Sequence, residues 1–316
     1  MKRTLFITSN RLGDAVLTTG ILKHLIEKEP DSKVTVVCGK IPASLFSEIP
    51  EVEKVVAITK RKRSLHWWDA FKGIDGFFWH RIVDFRSSAL GLLPTRHRHY
   101  WRGGADTEHK LVSNARLIGE DHVIMPAIQM QDGITRKALG LPEGEKILAL
   151  APTANFYQKQ WHYENFIGLA KRLTADDGIL PGAKVLALGA PGEEAQAMPV
   201  VEALPKEQVL DYVGKTNPME AAKLLSHAAL FVGNDSGLMH TATAVDIPTV
   251  GLFGIGKPTV YRPYGPKSLC LIGDPAGVAI IREDVEDADG NVKMRETLPL
   301  DHVASEVTAF YKSLQA

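Results

Sequence analysis

Short apolar runs alternate with amphipathic stretches along the whole chain. In the first half, short runs rich in apolar residues predict strands at 4–9, 34–37, 55–58 and 82–85. Apolar side chains at helical spacing occupy about 15–28, between the first two runs. Strands that alternate with helices in this way predict a parallel sheet with helices on both faces.

The same alternation restarts after a stretch with little periodicity, at 126–145. This stretch holds the turn-forming residues Gly133, Gly140, Pro142 and Gly144, as is typical of a domain boundary. Beyond it we predict strands at 147–151, 185–188, 209–212, 230–232, 249–253 and 269–272, and helices at 163–173, 193–204, 218–226 and 301–314. Pro199 is expected to split the second of these helices.

The chain is therefore predicted to be an α/β protein with two Rossmann-like domains that face each other across a cleft. We place the first domain at 1–143 and the second at 144–316, with the terminal helix as a candidate to pack back on the first domain. Ligands of such folds bind at the carboxyl ends of the strands, so the loops that follow strands hold the candidate site residues.

One such loop lies in the stretch 232–240, Val-Gly-Asn-Asp-Ser-Gly-Leu-Met-His, which predicts a strand, a tight turn and a helix. Asn234 and Asp235 are turn and N-cap residue types, and Gly237 allows two backbones to approach closely. A helix N-terminus offers free amides and a positive dipole to an anion, so we expect a diphosphate over Ser236 and Gly237. An ordinary capped strand–helix turn would give the same pattern, and this alternative stays open.

Composition and charge narrow the class of protein. Hydrophobic residues make up 45% and charged residues 23% of the 316 residues, as in a globular protein. The formal net charge is zero, which argues against a nucleic-acid-binding protein. Residues 1–145 carry 22 basic and 17 acidic side chains, whereas residues 146–316 carry 15 and 20. The basic first half favours an anionic partner there.

Localisation is predicted from what the sequence lacks. No uninterrupted apolar run is long enough for a transmembrane helix, and the N-terminus does not resemble a signal peptide. Only Cys38 and Cys270 are present, and both are expected to be buried free thiols in a reducing compartment. We therefore expect a cytoplasmic protein.

Several charged or polar residues follow predicted strands and are candidates for chemistry. Asp14, on the turn after the first strand, could act as a general base or could simply stabilise a helix dipole. Lys159 could offset charge on a leaving diphosphate, or could be a solvated surface lysine. Glu193 could bind ribose hydroxyls or serve as a first-turn helix charge. His240 lies one helical turn after Ser236, on the same face. It could contact a ligand, or it could be a partly buried helix residue.

Other motifs are absent or weak. No G-x-G-x-x-G follows a first strand, and neither a Walker-type loop nor G-x-S-x-G occurs, which weakens dehydrogenase, phosphate-loop and hydrolase functions. The acidic stretch 287–291 has its Gly at the wrong position for a calcium loop and favours a hairpin turn. His97 and His99 have arginine neighbours, which disfavour a metal. We expect no metal and no cofactor.

Taken together, these residues resemble glycosyltransferase family 9, the ADP-heptose:lipopolysaccharide heptosyltransferases. The matching motifs are the early segment 11–19, Arg-Leu-Gly-Asp-Ala-Val-Leu-Thr-Thr, the triplet Lys159-Gln160-Trp161, the late segment 233–240, Gly-Asn-Asp-Ser-Gly-Leu-Met-His, and the segments 249–254 and 263–266. The late segment is the most specific of these. The region 60–105 matches the family poorly.

The resemblance implies a GT-B fold and an inverting, metal-independent transfer of a heptose or related sugar from an ADP-sugar. The N-terminal domain would bind a lipopolysaccharide core or similar glycolipid acceptor, and the C-terminal domain the donor. By position, Asp14 resembles the family's general base and Lys159 a leaving-group contact. The implied donor-binding residues are Thr153, Glu193, Asp235, Ser236, Gly237 and His240.

Two basic and aromatic clusters, at 60–71 and 96–102, suit an anionic glycolipid headgroup. We expect Arg11, Arg61, Arg63, Arg96 and Arg98 to bind the acceptor. Nearby aromatic residues could rest at the inner membrane surface or belong to the core; they are Trp67, Trp68, Phe77, Phe78 and Trp79. A nucleotide-sugar-binding protein without transferase activity and a nucleotide-sugar epimerase remain alternatives, and the oligomeric state is left open.

Overall fold

The structure is a computed structural model that describes residues 2–103, 107–131, 133–254, 256–273 and 298–316. Its chain divides into two compact units. The first comprises Met1–Asp132 with Asn217–Met219, and the second comprises Gly133–Thr216 with Glu220–Ala316. The second unit thus begins at Gly133 rather than at the predicted residue 144.

The first unit contains a five-stranded parallel sheet. Its strands are β1 (Lys2–Ile7), β2 (Ser32–Gly39), β3 (Val52–Ile58), β4 (Trp79–Asp84) and β5 (Thr95–Tyr100). They lie in the order β3-β2-β1-β4-β5, so the direction of winding reverses between β1 and β4. This reversal is the position at which open α/β sheets bind ligands.

Three α-helices of the first unit have their bounds as follows: α1 is Leu12–Lys28, α2 is His66–Gly73 and α3 is Lys110–Leu117. Short 3₁₀ segments occupy Ile41–Phe46, Lys62–Ser64 and Ala89–Leu92. Helix α1 begins three residues earlier than predicted, which places Asp14 in its first turn. Neither α2 nor β5 is predicted by the apolar pattern.

Two of the aromatic residues that were predicted to lie either at a membrane surface or in the core, Trp67 and Trp79, pack in or against the core of the first unit. Trp79, the first residue of β4, is fully buried and packs with Leu5 and Ile82, while the guanidinium of Arg3 lies 4.8 Å from its ring centroid. Trp67 is partly buried against the same core. The membrane-interface alternative is therefore wrong for Trp79, because its side chain fills the space between the sheet and α2.

The second unit contains a six-stranded parallel sheet. Its strands are β6 (Ile147–Ala151), β7 (Lys184–Ala187), β8 (Val209–Asp211), β9 (Leu230–Asn234), β10 (Thr249–Phe253) and β11 (Ser268–Ile272). The order β11-β10-β9-β6-β7-β8 reverses between β6 and β9. The predicted bounds of β6 and β10 are confirmed, because both are continuous apolar runs buried along their whole length.

Among the described residues that follow β6, six segments are α-helical. They are α4 (Tyr163–Thr174), α5 (Glu194–Glu202), α6 (Pro218–Leu225), α7 (Gly237–Ala244), α8 (Pro258–Tyr261) and α9 (Leu300–Ser313). Pro199 lies inside α5 without dividing it, so the predicted split is wrong.

The terminal helix α9 packs against α4 and contributes Val303, Val307 and Tyr311 to the core of the second unit. A Cβ added to Gly168 of α4 would lie 2.4 Å from Leu300 Cδ2, so the contact is close. Among the described residues, no helix combines the length and the apolar character needed to cross a membrane. Cys38 is a buried free thiol as predicted, whereas Cys270 is free and only half-buried.

Candidate functional site

The ends of β6 and β9 meet at the reversal point of the second sheet. Ala151 pairs with Gly233 in register, so the residues that follow each strand leave the sheet side by side. Thr153 follows β6, whereas Asp235 and Ser236 follow β9. Five of the predicted donor-site residues and Lys159 therefore come from two adjacent loops and the helix that begins there.

Lys159 and Asp235 join the two loops directly. Lys159 ends a single 3₁₀ turn, Tyr157–Lys159, and its Nζ donates to Asp235 Oδ2 at 2.5 Å. The Asp235 side chain is only 8% exposed, whereas that of Lys159 is 25% exposed. Lys159 is therefore not a solvated surface lysine, and its ammonium group is directed to the end of β9.

The loop that carries Lys159 is held in place on both sides. The backbone N–H of Trp161 donates to Asn234 Oδ1 at 2.9 Å, which ties the loop to the end of β9. Gln196 Oε1 accepts from the backbone N–H of Ala154 at 3.0 Å and from Gln160 Nε2 at 2.8 Å. These neutral hydrogen bonds fix the loop without using Lys159, so its position does not depend on the ion pair alone.

Three buried polar atoms beside this ion pair find no hydrogen-bond partner among the described residues. They are Thr153 Oγ1, Ser236 Oγ and Asn234 Nδ2. Buried hydroxyl and amide groups are nearly always hydrogen-bonded in folded proteins, because leaving one unpaired costs about 1–3 kcal/mol. Their gathering at the reversal point of a Rossmann-like sheet is the arrangement expected of a site whose ligand supplies the missing partners.

The start of α7 differs from an ordinary capped helix. Ser236 occupies the N-cap position with extended backbone, but no side chain caps the helix. Its hydroxyl and the first amides of α7 are the groups that would bind an anion. His240, one turn later, is 5% exposed, and its ring centroid lies 6.4 Å from that of Tyr261. His240 is thus a buried residue of α7, and its contact with a ligand stays a prediction.

Glu193 lies at the N-cap of α5, after β7. Its Oε2 accepts a hydrogen bond from the backbone N–H of Ala190 at 3.0 Å. The carboxylate therefore stabilises the turn that leads into α5, and ribose binding by Glu193 stays a prediction. Gly189 in the same turn lies beside Thr153, because a Cβ built there would be 3.0 Å from Thr153 Cγ2.

The reversal point of the first sheet holds Asp14. Its Oδ2 accepts a hydrogen bond from Ser9 Oγ at 3.4 Å, and Arg86 Nη1 donates to the same Ser9 oxygen at 3.3 Å. Asp14 is half-buried in the first turn of α1, where the helix dipole favours a carboxylate. The sequence alone did not mark Ser9 and Arg86 as neighbours of Asp14, because β1 and β4 become adjacent only in the folded sheet.

Of the predicted acceptor-binding arginines, Arg11 lies at the N-cap of α1, three residues before Asp14, whereas the others belong to later segments of the first unit. Arg61 Nη1 donates to Asp69 Oδ2 at 2.6 Å, and Arg98 Nη2 donates to the carbonyl of Leu93 at 2.8 Å. Arg11 and Arg96 are exposed. The side chain of Arg63 lies outside the described residues, as does the stretch 287–291 that was predicted to form a hairpin turn.

The two histidines of β5, His97 and His99, make contacts with other residues of the first unit. His97 makes an edge-on contact with His80, with ring centroids 5.0 Å apart, whereas His99 Nδ1 lies 3.1 Å from the carbonyl oxygen of Leu117. Burial lowers the pKa of His99 below its ordinary value. In the part of the chain that the structure describes, no three His, Cys, Asp or Glu side chains are grouped so as to hold a metal ion.

Comparisons with known proteins identify relatives of this chain. A family model described as glycosyltransferase family 9 (heptosyltransferase) matches residues 88–281. The lipopolysaccharide heptosyltransferase 2 of Salmonella typhimurium is 25% identical over 313 residues, with 84% of this chain and 86% of that protein covered.

Two solved structures share the fold over almost the entire chain. The ADP-heptose lipopolysaccharide heptosyltransferase II of E. coli matches with a TM-score of 0.73 at 21% identity, covering 100% of both chains. An E. coli heptosyltransferase solved with ADP matches with a TM-score of 0.70 at 18% identity, covering 98% of this chain and 99% of that one. These matches, with the two parallel sheets, confirm the predicted GT-B fold of two Rossmann-like domains.

Proposed function

The chain belongs to glycosyltransferase family 9, and from this membership we propose that it transfers a heptose or related sugar from an ADP-sugar to a lipopolysaccharide core or similar glycolipid acceptor. Its relatives are named lipopolysaccharide heptosyltransferases, and one structural match was solved with ADP. The observation that carries the proposal is the Lys159–Asp235 ion pair beside the unpaired hydroxyls of Thr153 and Ser236.

Charge and hydrogen-bonding capacity support the proposal that the donor diphosphate binds at this site. Phosphate oxygens accept hydrogen bonds, so they complement the hydroxyls of Thr153 and Ser236 and the first amides of α7. Lys159 has three N–H donors, of which one is given to Asp235, so the others suit a phosphate oxygen. Within the same proposal, Gly237 allows close approach of the diphosphate, and Glu193 and His240 contact the sugar portions of the donor.

The proposed reaction is a single displacement. Asp14 accepts the proton of the acceptor hydroxyl while its oxygen attacks the anomeric carbon of the donor. The bond from that carbon to the diphosphate oxygen breaks, and ADP leaves with the electron pair. Because attack and departure occur on opposite faces of the sugar, the anomeric configuration is inverted. Lys159 and the amides of α7 stabilise the charge that builds on the departing phosphate.

Nucleotide preference tests the donor half of this proposal. Thermal unfolding is recorded with ADP, UDP and GDP, because a ligand that binds only the folded state stabilises it by about 2.7 kcal/mol at one hundred times its Kd. ADP is expected to raise Tm most. A shift with UDP or GDP alone would assign a different donor, and no shift with any of the three would contradict a nucleotide site.

Transfer separates the proposed function from its alternatives. ADP-heptose is incubated with lipopolysaccharide cores of defined truncation, and the acceptor mass and released ADP are measured. A gain of one heptose is expected. Binding of ADP-heptose without any gain would indicate a nucleotide-sugar-binding protein, and isomerised sugar without acceptor would indicate an epimerase; family membership favours transfer over both.

We further propose that the first unit rests on the inner surface of the cytoplasmic membrane, where a glycolipid acceptor would be held. Five large apolar side chains, here called the apolar patch, are 48% to 65% exposed; they are Leu65, Trp68, Phe77, Phe78 and Leu92. They belong to neighbouring segments, since α2 contacts the turn Ala89–Leu92 and Phe77 and Phe78 connect α2 to β4. Exposed clusters of this kind mark interaction surfaces.

Basic side chains accompany the apolar patch. Lys72 Nζ lies 5.5 Å from the ring centroid of Trp68, and Arg98 is anchored on the carbonyl of Leu93, next to Leu92. Further exposed cations lie before α2 and in β5; they are Lys60, Arg61, Lys62 and Arg96. Exposed aromatic side chains with basic side chains nearby suit an anionic lipid surface, because the rings enter the headgroup layer while the cations attract the phosphates.

A further inference from the structure

The hydroxyl of Ser9 has all of its hydrogen-bonding capacity committed. A hydroxyl has two acceptor lone pairs and one hydrogen. The Ser9 oxygen accepts from the backbone N–H of Arg11 at 3.1 Å and from Arg86 Nη1 at 3.3 Å. Its single hydrogen is thereby directed to Asp14 Oδ2, 3.4 Å away. Ser9 is 6% exposed, so water does not compete freely for these positions.

Arg86 is itself held by a buried carboxylate. Asp84, at the end of β4, is fully buried and accepts from the backbone N–H of Arg86 at 2.7 Å. It also accepts from the backbone N–H of Ser88 at 2.8 Å and from Ser88 Oγ at 2.7 Å. A Cβ at Gly91 would lie 2.4 Å from Asp84 Oδ2, so only glycine leaves room for this carboxylate. The loop after β4 is therefore built around Asp84.

The same loop contains a strained residue. Ser87 has φ +52°, in the left-handed region that residues other than glycine rarely adopt, and its Oγ donates to the carbonyl of Trp101 at 2.5 Å. Such conformations persist where surrounding contacts over-determine them, and they concentrate at functional sites. The conformation at Ser87 turns the chain between Arg86 and Ser88, which Asp84 binds on either side.

Resting on the proposed function, we propose that Arg86 and Ser9 are positioning residues for the transfer reaction. Arg86 occupies one lone pair of Ser9, Ser9 directs its hydrogen to Asp14 Oδ2, and the carboxylate is held in one rotamer with Oδ1 as the oxygen that accepts the acceptor proton. Without the guanidinium, the Ser9 hydroxyl can rotate away and the carboxylate samples orientations that do not reach the attacking hydroxyl. Arg86 acts through Ser9 and has no contact with the acceptor in this proposal.

The test is a double-mutant cycle on the full-length chain, with ADP-heptose and the truncated lipopolysaccharide core that wild type heptosylates as probes. Arg86→Met and Ser9→Ala are each expected to lower kcat about tenfold to a hundredfold, with the KM for acceptor and the Kd for ADP unchanged. The double variant is expected to be no slower than the slower single variant, because both changes remove the same effect. Arg86→Lys is expected to recover part of kcat, since its ammonium can donate to Ser9.

Controls keep the outcomes separate. Arg116→Met removes an exposed arginine that pairs with Glu108 on the surface of the same unit, and wild-type kcat is expected. If Ser9→Ala folds poorly, Ser9→Thr is measured as well; it keeps the hydroxyl and is expected to retain activity. A raised KM for acceptor, together with additive effects of the two substitutions, would overturn the proposal in favour of direct contact between Arg86 and acceptor. Unchanged kcat in both single variants would also overturn the proposal. Inactive wild type would instead contradict the proposed function.

Discussion

Lys159 and Asp235 lie 76 residues apart in the chain, yet Lys159 Nζ and Asp235 Oδ2 are 2.5 Å apart at the adjoining ends of β6 and β9. The carboxylate is nearly buried, so it depends on the ammonium group as its partner. In the proposed reaction the same ammonium group also meets the leaving phosphate. One side chain thus has a structural role and a chemical role, and these can be separated by experiment.

Lys159→Met is expected to lower transfer about 10²–10³-fold, because it removes one preorganised donor to the leaving group. It is also expected to destabilise the fold by about 1–3 kcal/mol, because Asp235 is left without its partner. Urea denaturation and a transfer assay measure the two effects.

The double variant Lys159→Met with Asp235→Asn replaces the ion pair by neutral groups. Stability is expected to recover, whereas transfer is expected to stay low. Lys171→Met, on the exposed side of α4, serves as the control for loss of a lysine. Recovery of transfer together with stability would show that Lys159 is structural only.

Thr153→Val tests the unpaired hydroxyls. Valine keeps the shape of threonine without the buried Oγ1, which has no partner among the described residues, so the unliganded protein is expected to be equally or more stable. Affinity for ADP is expected to fall about tenfold, by the loss of one hydrogen bond to a charged group. Thermal unfolding and isothermal titration calorimetry give the two values.

Thr249→Val is the matched control, because the hydroxyl of Thr249 donates to the carbonyl of Ile247 at 2.9 Å. Thr249→Val is expected to lose about 1 kcal/mol of stability and to keep its ADP affinity, which is the reverse of the result expected for Thr153→Val. If both threonine variants behaved alike, the unpaired state of Thr153 would have no connection with ligand binding.

The apolar patch predicts binding to anionic vesicles. Trp68→Ser combined with Phe77→Ser and Phe78→Ser is expected to weaken sedimentation with vesicles of anionic phospholipid about tenfold or more, because three exposed rings no longer enter the interface. The protein is expected to stay folded, since these side chains are more than half exposed.

Tyr163→Ser, which removes an exposed aromatic of the second unit, is the control and is expected to leave vesicle binding unchanged. Wild-type binding that is equal on neutral and anionic vesicles, or that survives the triple substitution, would show that the patch does not contact lipid.

The lowered pKa of Glu120 predicts that the stability of the folded protein decreases at acidic pH. Hydrogen bonds from Lys28 and then from His24 lower the pKa of Glu120 from 4.5 to about 2. Because the folded-state pKa is depressed, the contribution of Glu120 is fully present above pH 4.5 and is lost as pH falls towards 2. Glu120→Gln is therefore expected to lower Tm at pH 6 and to show a smaller deficit as pH falls below 4. A deficit that is constant across this range would contradict the assignment.

The sequence predicted those elements whose side chains follow one simple period. Continuous apolar runs identified β6 and β10, and helical spacing identified α1. Strand β5, Thr-Arg-His-Arg-His-Tyr, has almost no apolar residue, because it lies at the edge of the first sheet with three of its six side chains exposed. Its pattern therefore could not be told from that of a polar loop.

The residues of the candidate site also divide into those that the sequence indicates and those that only the folded sheet brings together. Asp235, Ser236 and Gly237 stand together in one local stretch, so the sequence alone marked them. Lys159 was marked by its place in the loop after a predicted strand and by the resemblance, but its pairing with Asp235 follows from the adjacency of β6 and β9. Ser9 and Arg86 could not be assigned from sequence, since their contact needs β1 and β4 to be neighbours.

The central claim is that Asp14 activates the acceptor hydroxyl while the second unit receives ADP. The most direct measurement compares wild type with Asp14→Asn, an isosteric change, in the transfer of heptose from ADP-heptose to a truncated lipopolysaccharide core, with ADP affinity measured in parallel. We expect transfer to fall about 10²–10⁴-fold with ADP affinity unchanged. Transfer by Asp14→Asn at a rate near that of wild type would contradict the account.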